Sequence, residues 1–138
     1  MSSTPSLPPI TLHNADFDQL DQLVATSTNP NIAQVVDYLE RELNRATVVS
    51  VEEIAADIVT MYATVTYTDN KSAQERTVTL VYPHETDIDA GKISVMTPIG
   101  AALIGMQAGQ TIEWHSPLGR DQSLTVTRVV HPPFKNHG

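Results

Sequence analysis

Cysteine is absent from this 138-residue chain, which excludes a disulfide scaffold, a thiolate nucleophile and a Cys-ligated zinc or iron–sulfur site. Basic residues are scarce: 8 Lys and Arg stand against 16 Asp and Glu, a net charge of −8. A protein that tracks nucleic-acid phosphates needs a basic face, so direct sequence-specific nucleic-acid binding is not expected. Acidity suits solubility and a basic protein partner instead. The sequence also lacks G-x-G-x-x-G, a phosphate loop ending in Gly-Lys-Ser/Thr, H-E-x-x-H and a G-x-S-x-G elbow. Nucleotide binding, zincin chemistry and hydrolase chemistry of that type have no motif behind them. The start, Met1 to Pro9, has neither a basic stretch nor an apolar core and does not read as a signal peptide. One uncharged stretch, Ile93 to Ile112, runs for 20 residues, but Ser94, Thr97, Pro98, Gln107, Gln110, Thr111 and three glycines make it too polar for a membrane span. A cytoplasmic protein with no membrane partner is the expectation.

What is present is 41% hydrophobic and 17% charged, the composition of a globular chain of one domain with a small appendage. Residues 1–9 are Ser/Pro-rich and read as a flexible tail. Residues 10–48 carry helical periodicity. Asn14 is a candidate N-cap with Asp16 and Asp18 in the first turn, and Phe17, Leu20, Leu23 and Val24 form one stripe. Thr26, Ser27, Thr28 and Asn29 break the pattern. Asn29-Pro30 restarts it, with Ile32, Val35, Val36, Leu39 and Leu43 as a second stripe and Asp37–Arg41 and Glu42–Arg45 as pairs on the wet side. The spacing predicts an antiparallel helical hairpin, each arm about 22 Å for ~15 residues. Two such stripes bury too little to stand alone, so the hairpin should rest on something.

Residues 49–131 change character. Ser50 to Glu53 fits a capping box. Alternation then predicts a strand over Val59–Thr68, a turn at Asp69–Ser72, a second strand around Val78–Tyr82 and a third over Ile93–Met96. Thr97-Pro98 opens a short helix with Ile99, Ala102, Leu103 and Met106 inward, and Gly105 and Gly109 suit its exit. Ile112 and Trp114 mark a fourth strand, with Trp114 read as a core residue, and Leu124, Val126 and Val130 mark a fifth. The fold class is α+β, a hairpin followed by a curved antiparallel sheet with one short helix. Residues 132–138 read as a loose tail.

Side chains that carry chemistry are dispersed. His13, His84, His115, His131 and His137 have no ligand spacing, and His84, Glu85, Asp87 and Asp89 read as a solvated acidic turn rather than a metal loop. Asn70-Lys71-Ser72 fits a glycosylation sequon but reads as a hairpin turn. Catalysis by a bound metal needs carboxylates converging at an exposed point. The hairpin's exposed point is its tip, and Thr26, Ser27, Thr28 and Asn29 supply none. No catalytic residue, metal ligand or cofactor is expected.

Three segments in order, Asp57-Ile58-Val59-Thr60-Met61, Thr79-Leu80-Val81-Tyr82-Pro83 and Ile93 through Gly105, followed by Ala108-Gly109, resemble the regulator of nucleoside diphosphate kinase (Rnk) family. That family is similar to the C-terminal domain of the bacterial Gre transcript-cleavage factors (GreA/GreB). The resemblance spans Ile10 to about Val130. It implies an FKBP-like C-terminal domain, a short N-terminal coiled coil, and docking on RNA polymerase near its secondary channel. In Gre factors a long coiled coil brings acids from its tip to the polymerase Mg²⁺. This chain departs from them twice: Gre factors usually carry Arg and Lys within the equivalent helix segment, whereas this chain has Ala101 and Met106, the pattern of the Rnk branch, and the shorter hairpin has an acid-free tip.

The resemblance therefore implies a non-enzymatic regulator of transcription elongation that competes with Gre factors without stimulating cleavage. The effect on nucleoside diphosphate kinase that names the family is read as indirect. The expected polymerase-facing residues are Thr97, Pro98, Ile99, Gly100, Ala101 and Gly105, with Ala101→Arg expected to alter that surface without unfolding the domain. The FKBP-like fold raises a rival, a peptidyl-prolyl isomerase, but aromatic residues total only 5%, few for a proline cup. A cytoplasmic adaptor for another protein is a third reading.

Overall fold

The computed structural model describes residues 9–115 and 121–132, without the side chains of residues 114, 115, 121 and 122. The Trp114 side chain and the two terminal tails, apart from Pro9 and Pro132, thus lie outside the described residues. Two helices form over the predicted stripes, α1 at Asn14–Thr26 and α2 at Ala33–Arg45. Leu20 and Val24 on α1 and Val35, Leu39 and Leu43 on α2 are buried. The cap of α1 is His13 rather than Asn14: the backbone of His13 is extended, and its Nδ1 accepts from the Asp16 amide at 3.2 Å. At the second start Asn29 caps a 3₁₀ turn, Pro30–Ile32, by accepting from the Asn31 amide at 2.9 Å. The helix proper follows from Ala33.

Both ends of the hairpin are tied by strands that sequence periodicity does not reveal. Strands β1 (Thr11–His13) and β2 (Thr47–Val49) pair in parallel, Leu12 opposite Val48. A parallel pair needs a long crossover, and here the whole helical hairpin is that crossover. Three residues are too few to display a period.

The C-terminal part is a five-stranded sheet of β3 (Thr64–Asp69), β4 (Gln74–Val81), β5 (Lys92–Ser94), β6 (Thr111–His115) and β7 (Asp121–Val130), in the order β5-β4-β3-β7-β6. Every pair is antiparallel except β4–β5, which is parallel. The expectation of an all-antiparallel sheet is corrected at that edge, because Pro83–Glu85 and Ile88–Ala90 form 3₁₀ turns that carry the chain back before it pairs. The β3–β7 register slips between Thr66 and Tyr67. Such a bulge bends the strand and increases its twist, which curves the sheet. The predicted strand Val59–Thr68 is also shorter. Burial alternates through Val59, Met61, Ala63, Val65 and Tyr67, but the ladder starts only at Thr64 because Tyr62 turns the backbone to φ +69°.

Helix α3 (Pro98–Leu103) lies between β5 and β6, with Ala101, Ala102 and Leu103 buried. One apolar core runs from Leu12, Leu20 and Leu39 of the hairpin to Leu80, Leu103 and Ile112 of the sheet part. The hairpin does rest on something: α2 packs on α3, and the β1 amide of Thr11 donates to the Gly105 carbonyl at 3.1 Å. Among the described residues, no helix is long and apolar enough to cross a membrane.

Candidate functional site

The segment entering α3 is held by local hydrogen bonds. The Thr97 hydroxyl donates to the Ser94 carbonyl at 2.7 Å and accepts from the Gly100 amide at 3.1 Å, closing the first turn. Pro98 needs no partner at the first helical position. The next residues divide. Pro98 and Ile99 are exposed, which corrects the inward place expected for Ile99 in the helix, while Thr97 is half-buried and Gly100 and Ala101 are interior. A Cβ at Gly100 would run into the Ser94 carbonyl oxygen, so glycine lets α3 sit on the β5 exit. Gly105, at φ +81°, lets the chain leave the helix against Ile10. Of the six candidate residues, therefore, Thr97, Pro98 and Ile99 present a surface, while Gly100, Ala101 and Gly105 shape the corner behind it. Ala101 is only 1% exposed, which corrects the expectation that arginine could replace it on a surface.

The hairpin tip, Thr26 to Asn29, spends its polar atoms on helix ends. The Thr26 hydroxyl donates back to the Gln22 carbonyl at 2.9 Å, and the Asn29 amide oxygen holds the next turn. The tip has no ionised oxygen. The nearest acids in sequence, Asp21 and Asp37, sit back along the helices. Each helix has 13 residues, an arm of about 20 Å. Among the described residues no group of three or more His, Asp or Glu side chains could hold a metal ion.

Charge is buried at the hairpin's root. Asp16 is not the solvated first-turn acid that its position suggests: it is 8% exposed and accepts from the Met61 amide at 3.0 Å, a bond from hairpin to sheet domain. Burial raises its carboxyl above the usual carboxylate range, and the Met61 amide, His13 and His131 pull it partly back. His13 Nε2 lies 3.2 Å from the Asp16 carboxylate, and His131 Nε2 lies 2.6 Å from the Ile58 carbonyl oxygen. Glu42, expected on the wet side, is 3% exposed and paired with Arg45 through contacts of 2.6 and 2.8 Å. Among the described residues no ion pair joins Asp37 to Arg41.

Beside this root, an open groove of about 480 Å³ separates α1 from the end of β4. Gln19, Gln22 and Thr26 line one side, Tyr62, Tyr82 and Pro83 the other. The Tyr62 hydroxyl donates to Glu85 Oε1 at 2.7 Å, and its ring meets Tyr82 edge-on at 5.9 Å. Desolvation, followed by that carboxylate, pushes the Tyr62 phenol up to about 12. Alternation alone places Tyr62 as one outward strand residue among several; its left-handed backbone leaves no mark in the pattern.

With this geometry established, two family models match the chain. Residues 53–130 match the transcription elongation factor GreA/GreB C-terminal family, and residues 8–49 match the Rnk N-terminus. The chain is 34% identical over 128 residues to the regulator of nucleoside diphosphate kinase of Escherichia coli (strain K12), covering 93% of each chain. It is 42% identical over 94 residues to the transcription elongation factor GreA of Rhodospirillum rubrum, covering 68% of this chain and 59% of that protein. A solved structure of a prokaryotic transcription elongation factor GreA/GreB from Nitrosomonas europaea superposes with a TM-score of 0.70 at 39% identity, covering 90% of this chain and 99% of that one.

Proposed function

The chain belongs to the regulator of nucleoside diphosphate kinase family, with a C-terminal part of GreA/GreB type, and from that premise we propose that it is a non-enzymatic transcription regulator that binds RNA polymerase near the secondary channel. The observation that carries this reading is the GreA/GreB match over residues 53–130, the part that contains the exposed corner Thr97-Pro98-Ile99. In this reading the sheet part is an FKBP-like docking domain and the hairpin is a short coiled coil. The domain grips the polymerase through that corner, whose shape Gly100, Ala101 and Gly105 set from behind. The effect behind the family's name follows indirectly, through altered transcription.

The hairpin then acts as an obstruction at the channel rather than a probe that reaches its end. Its arms of about 20 Å pack along the domain. Its tip carries hydroxyls and an amide, whereas holding a second Mg²⁺ for water activation requires carboxylates. Such a protein occupies a Gre dock and leaves the transcript uncut.

The dock is tested by pull-down against core RNA polymerase. The wild type should be retained, and Ile99→Glu, at an exposed position, should lower retention without changing the melting temperature. Absence of retention by a polymerase that binds a Gre factor would remove the reading. Retention unchanged in Ile99→Glu and Pro98→Glu would place the dock elsewhere on the domain.

A further inference from the structure

We propose that the groove between α1 and the end of β4 seats the chain's own segment Pro132-Pro133-Phe134, with the Phe134 ring against Leu23, Tyr62 and Tyr82. Seated there, the segment straps the helical hairpin to the sheet part. The groove shares no residue with the Thr97–Gly105 corner, so the proposal stands apart from the polymerase reading.

The first support is topology, which brings this segment to the groove. Val130, the last residue of β7, pairs with Thr64, the first of β3. On the other side of β3, Leu80 near the end of β4 bonds through its backbone to Tyr62 and Ala63. The exits of β7 and β4 therefore lie at the same end of the sheet, on either side of the chain that enters β3. Neighbouring strands lie about 4.8 Å apart, which puts the two exits about 10 Å from each other. After Val130 the chain turns to the hairpin side. His131 Nε2 is 2.6 Å from the Ile58 carbonyl oxygen, and the ring is near enough to Asp16 of α1 to act on that carboxyl. Pro132 is exposed, and Pro133 and Phe134 follow it in sequence, outside the described residues. Two extended residues cover about 7 Å, and a phenyl side chain spans the remainder.

The second support is the chemistry of the walls, which suits a neutral occupant that bears rings. No Asp, Glu, Lys or Arg lines the groove, and its polar groups are two side-chain amides, a threonine hydroxyl, His84 and the tyrosine hydroxyls. Leu23, Tyr62, Tyr82 and Pro83 supply the apolar surface, and Tyr62 stays 42% exposed. The Tyr62 and Tyr82 rings meet edge-on with centroids 5.9 Å apart, an arrangement that a third ring extends. Proline-rich segments dock in aromatic-lined grooves because consecutive prolines hold the chain extended before it binds, so little freedom is lost. Pro132-Pro133 is such a pair, and Phe134 is the large apolar side chain next to it.

The third support is tethering. A segment anchored a few residues from its seat meets it at an effective concentration on the order of millimolar, so an open groove of modest affinity is enough. The chain's other proline pair, Pro8-Pro9, leaves the fold beside Ile10, which packs at Gly105 on the exit of α3 and not at Tyr62. Part of the tail that sequence alone reads as loose thereby gains a place on the domain.

The test is NMR of the full chain with isotope-labelled phenylalanine. The chain has two, Phe17 and Phe134, and Phe134→Ser identifies the second ring by its loss. Nuclear Overhauser contacts are expected from the Phe134 ring to the Leu23 methyls and to the Tyr62 or Tyr82 ring. Phe134→Ser should shift the Leu23 and Tyr62 signals and leave Thr97 and Ile99 in place. The peptide acetyl-Pro-Pro-Phe-Lys-amide should then bind the groove of Phe134→Ser several-fold more tightly than that of the wild type, whose own segment competes. Adding Tyr62→Gly, which suits the φ of +69°, should abolish that binding. If the Gly variant unfolds, the wild-type contacts still decide. A Phe134 ring without contacts to the groove would overturn the proposal, as would equal peptide binding by wild type and Phe134→Ser. Contacts that appear only between differently labelled molecules would assign the groove to a second copy. Contacts from Leu7 or Pro8 instead of Phe134 would assign it to the N-terminal segment, and either result also overturns the proposal.

Discussion

Asp16 concentrates the residue-scale physics, because it is an acid buried by packing and kept in place by one backbone donor from the other half of the molecule. Its folded pKa lies above the ordinary 3.8, so its contribution to stability is fully present below that value and is lost as pH rises through the raised one. Asp16→Asn, which keeps an acceptor for the Met61 amide, should therefore gain on the wild type as pH climbs from about 4 to neutrality. A stability difference between the two that is flat in pH would contradict this assignment. Asp16→Ala leaves the Met61 amide unpaired and should cost about 1–3 kcal/mol by urea denaturation. None of this was legible in sequence, where an acid in a first helical turn reads as solvated. Leu103 was legible, because spacing from Pro98 turns it inward. It is 0% exposed, and Leu103→Ala should cost about 2–5 kcal/mol. Ala101→Arg should unfold the domain, and a native-like melting temperature for that variant would show the corner to be looser than drawn.

At the scale of elements, legibility followed length. Helices α1 and α2 each repeat their apolar stripe over several turns; Leu20, Val24, Val35, Leu39 and Leu43 are in the core, with Phe17, Leu23, Ile32 and Val36 half-buried against it. Strands β1 and β2 are three residues each and draw their order from pairing with one another and from Gly105. The alternation from Val59 to Tyr67 was read correctly as burial and incorrectly as an unbroken strand, since a residue can keep its inward side while the ladder stops at Tyr62. The ion pair closing α2 makes a prediction at this scale. Glu42 is buried and Arg45 is its partner, so Arg45→Ala strands a carboxylate against the core and should cost about 1–3 kcal/mol. Glu42→Gln should cost less, because an amide tolerates the site uncharged. Equal losses in the two variants would mean that the charge is not what matters at this position.

For the whole molecule, the order of motifs from Asp57 to Gly109 carried the family resemblance; the GreA/GreB model covers those motifs within residues 53–130, and the Rnk N-terminus model matches residues 8–49 ahead of them. The parallel β5 edge was not legible, because it depends on how two short 3₁₀ turns carry the chain back after β4; that the hairpin needs a partner was legible from its narrow stripes, but which residues meet it in a shared core was not, because those contacts join segments far apart in sequence. That shared core bears on function. In the function proposed above, a hairpin that leans on its own domain, with an acid-free tip, occupies a site rather than delivering chemistry into it. The most direct measurement of this is a stalled elongation complex with labelled RNA, incubated with the protein alone and then with a Gre factor added. The account predicts full-length RNA with the protein alone, and Gre-stimulated cleavage that falls as the protein is raised to excess. Shortened RNA with the protein alone, or Gre cleavage undiminished at excess protein, would contradict it.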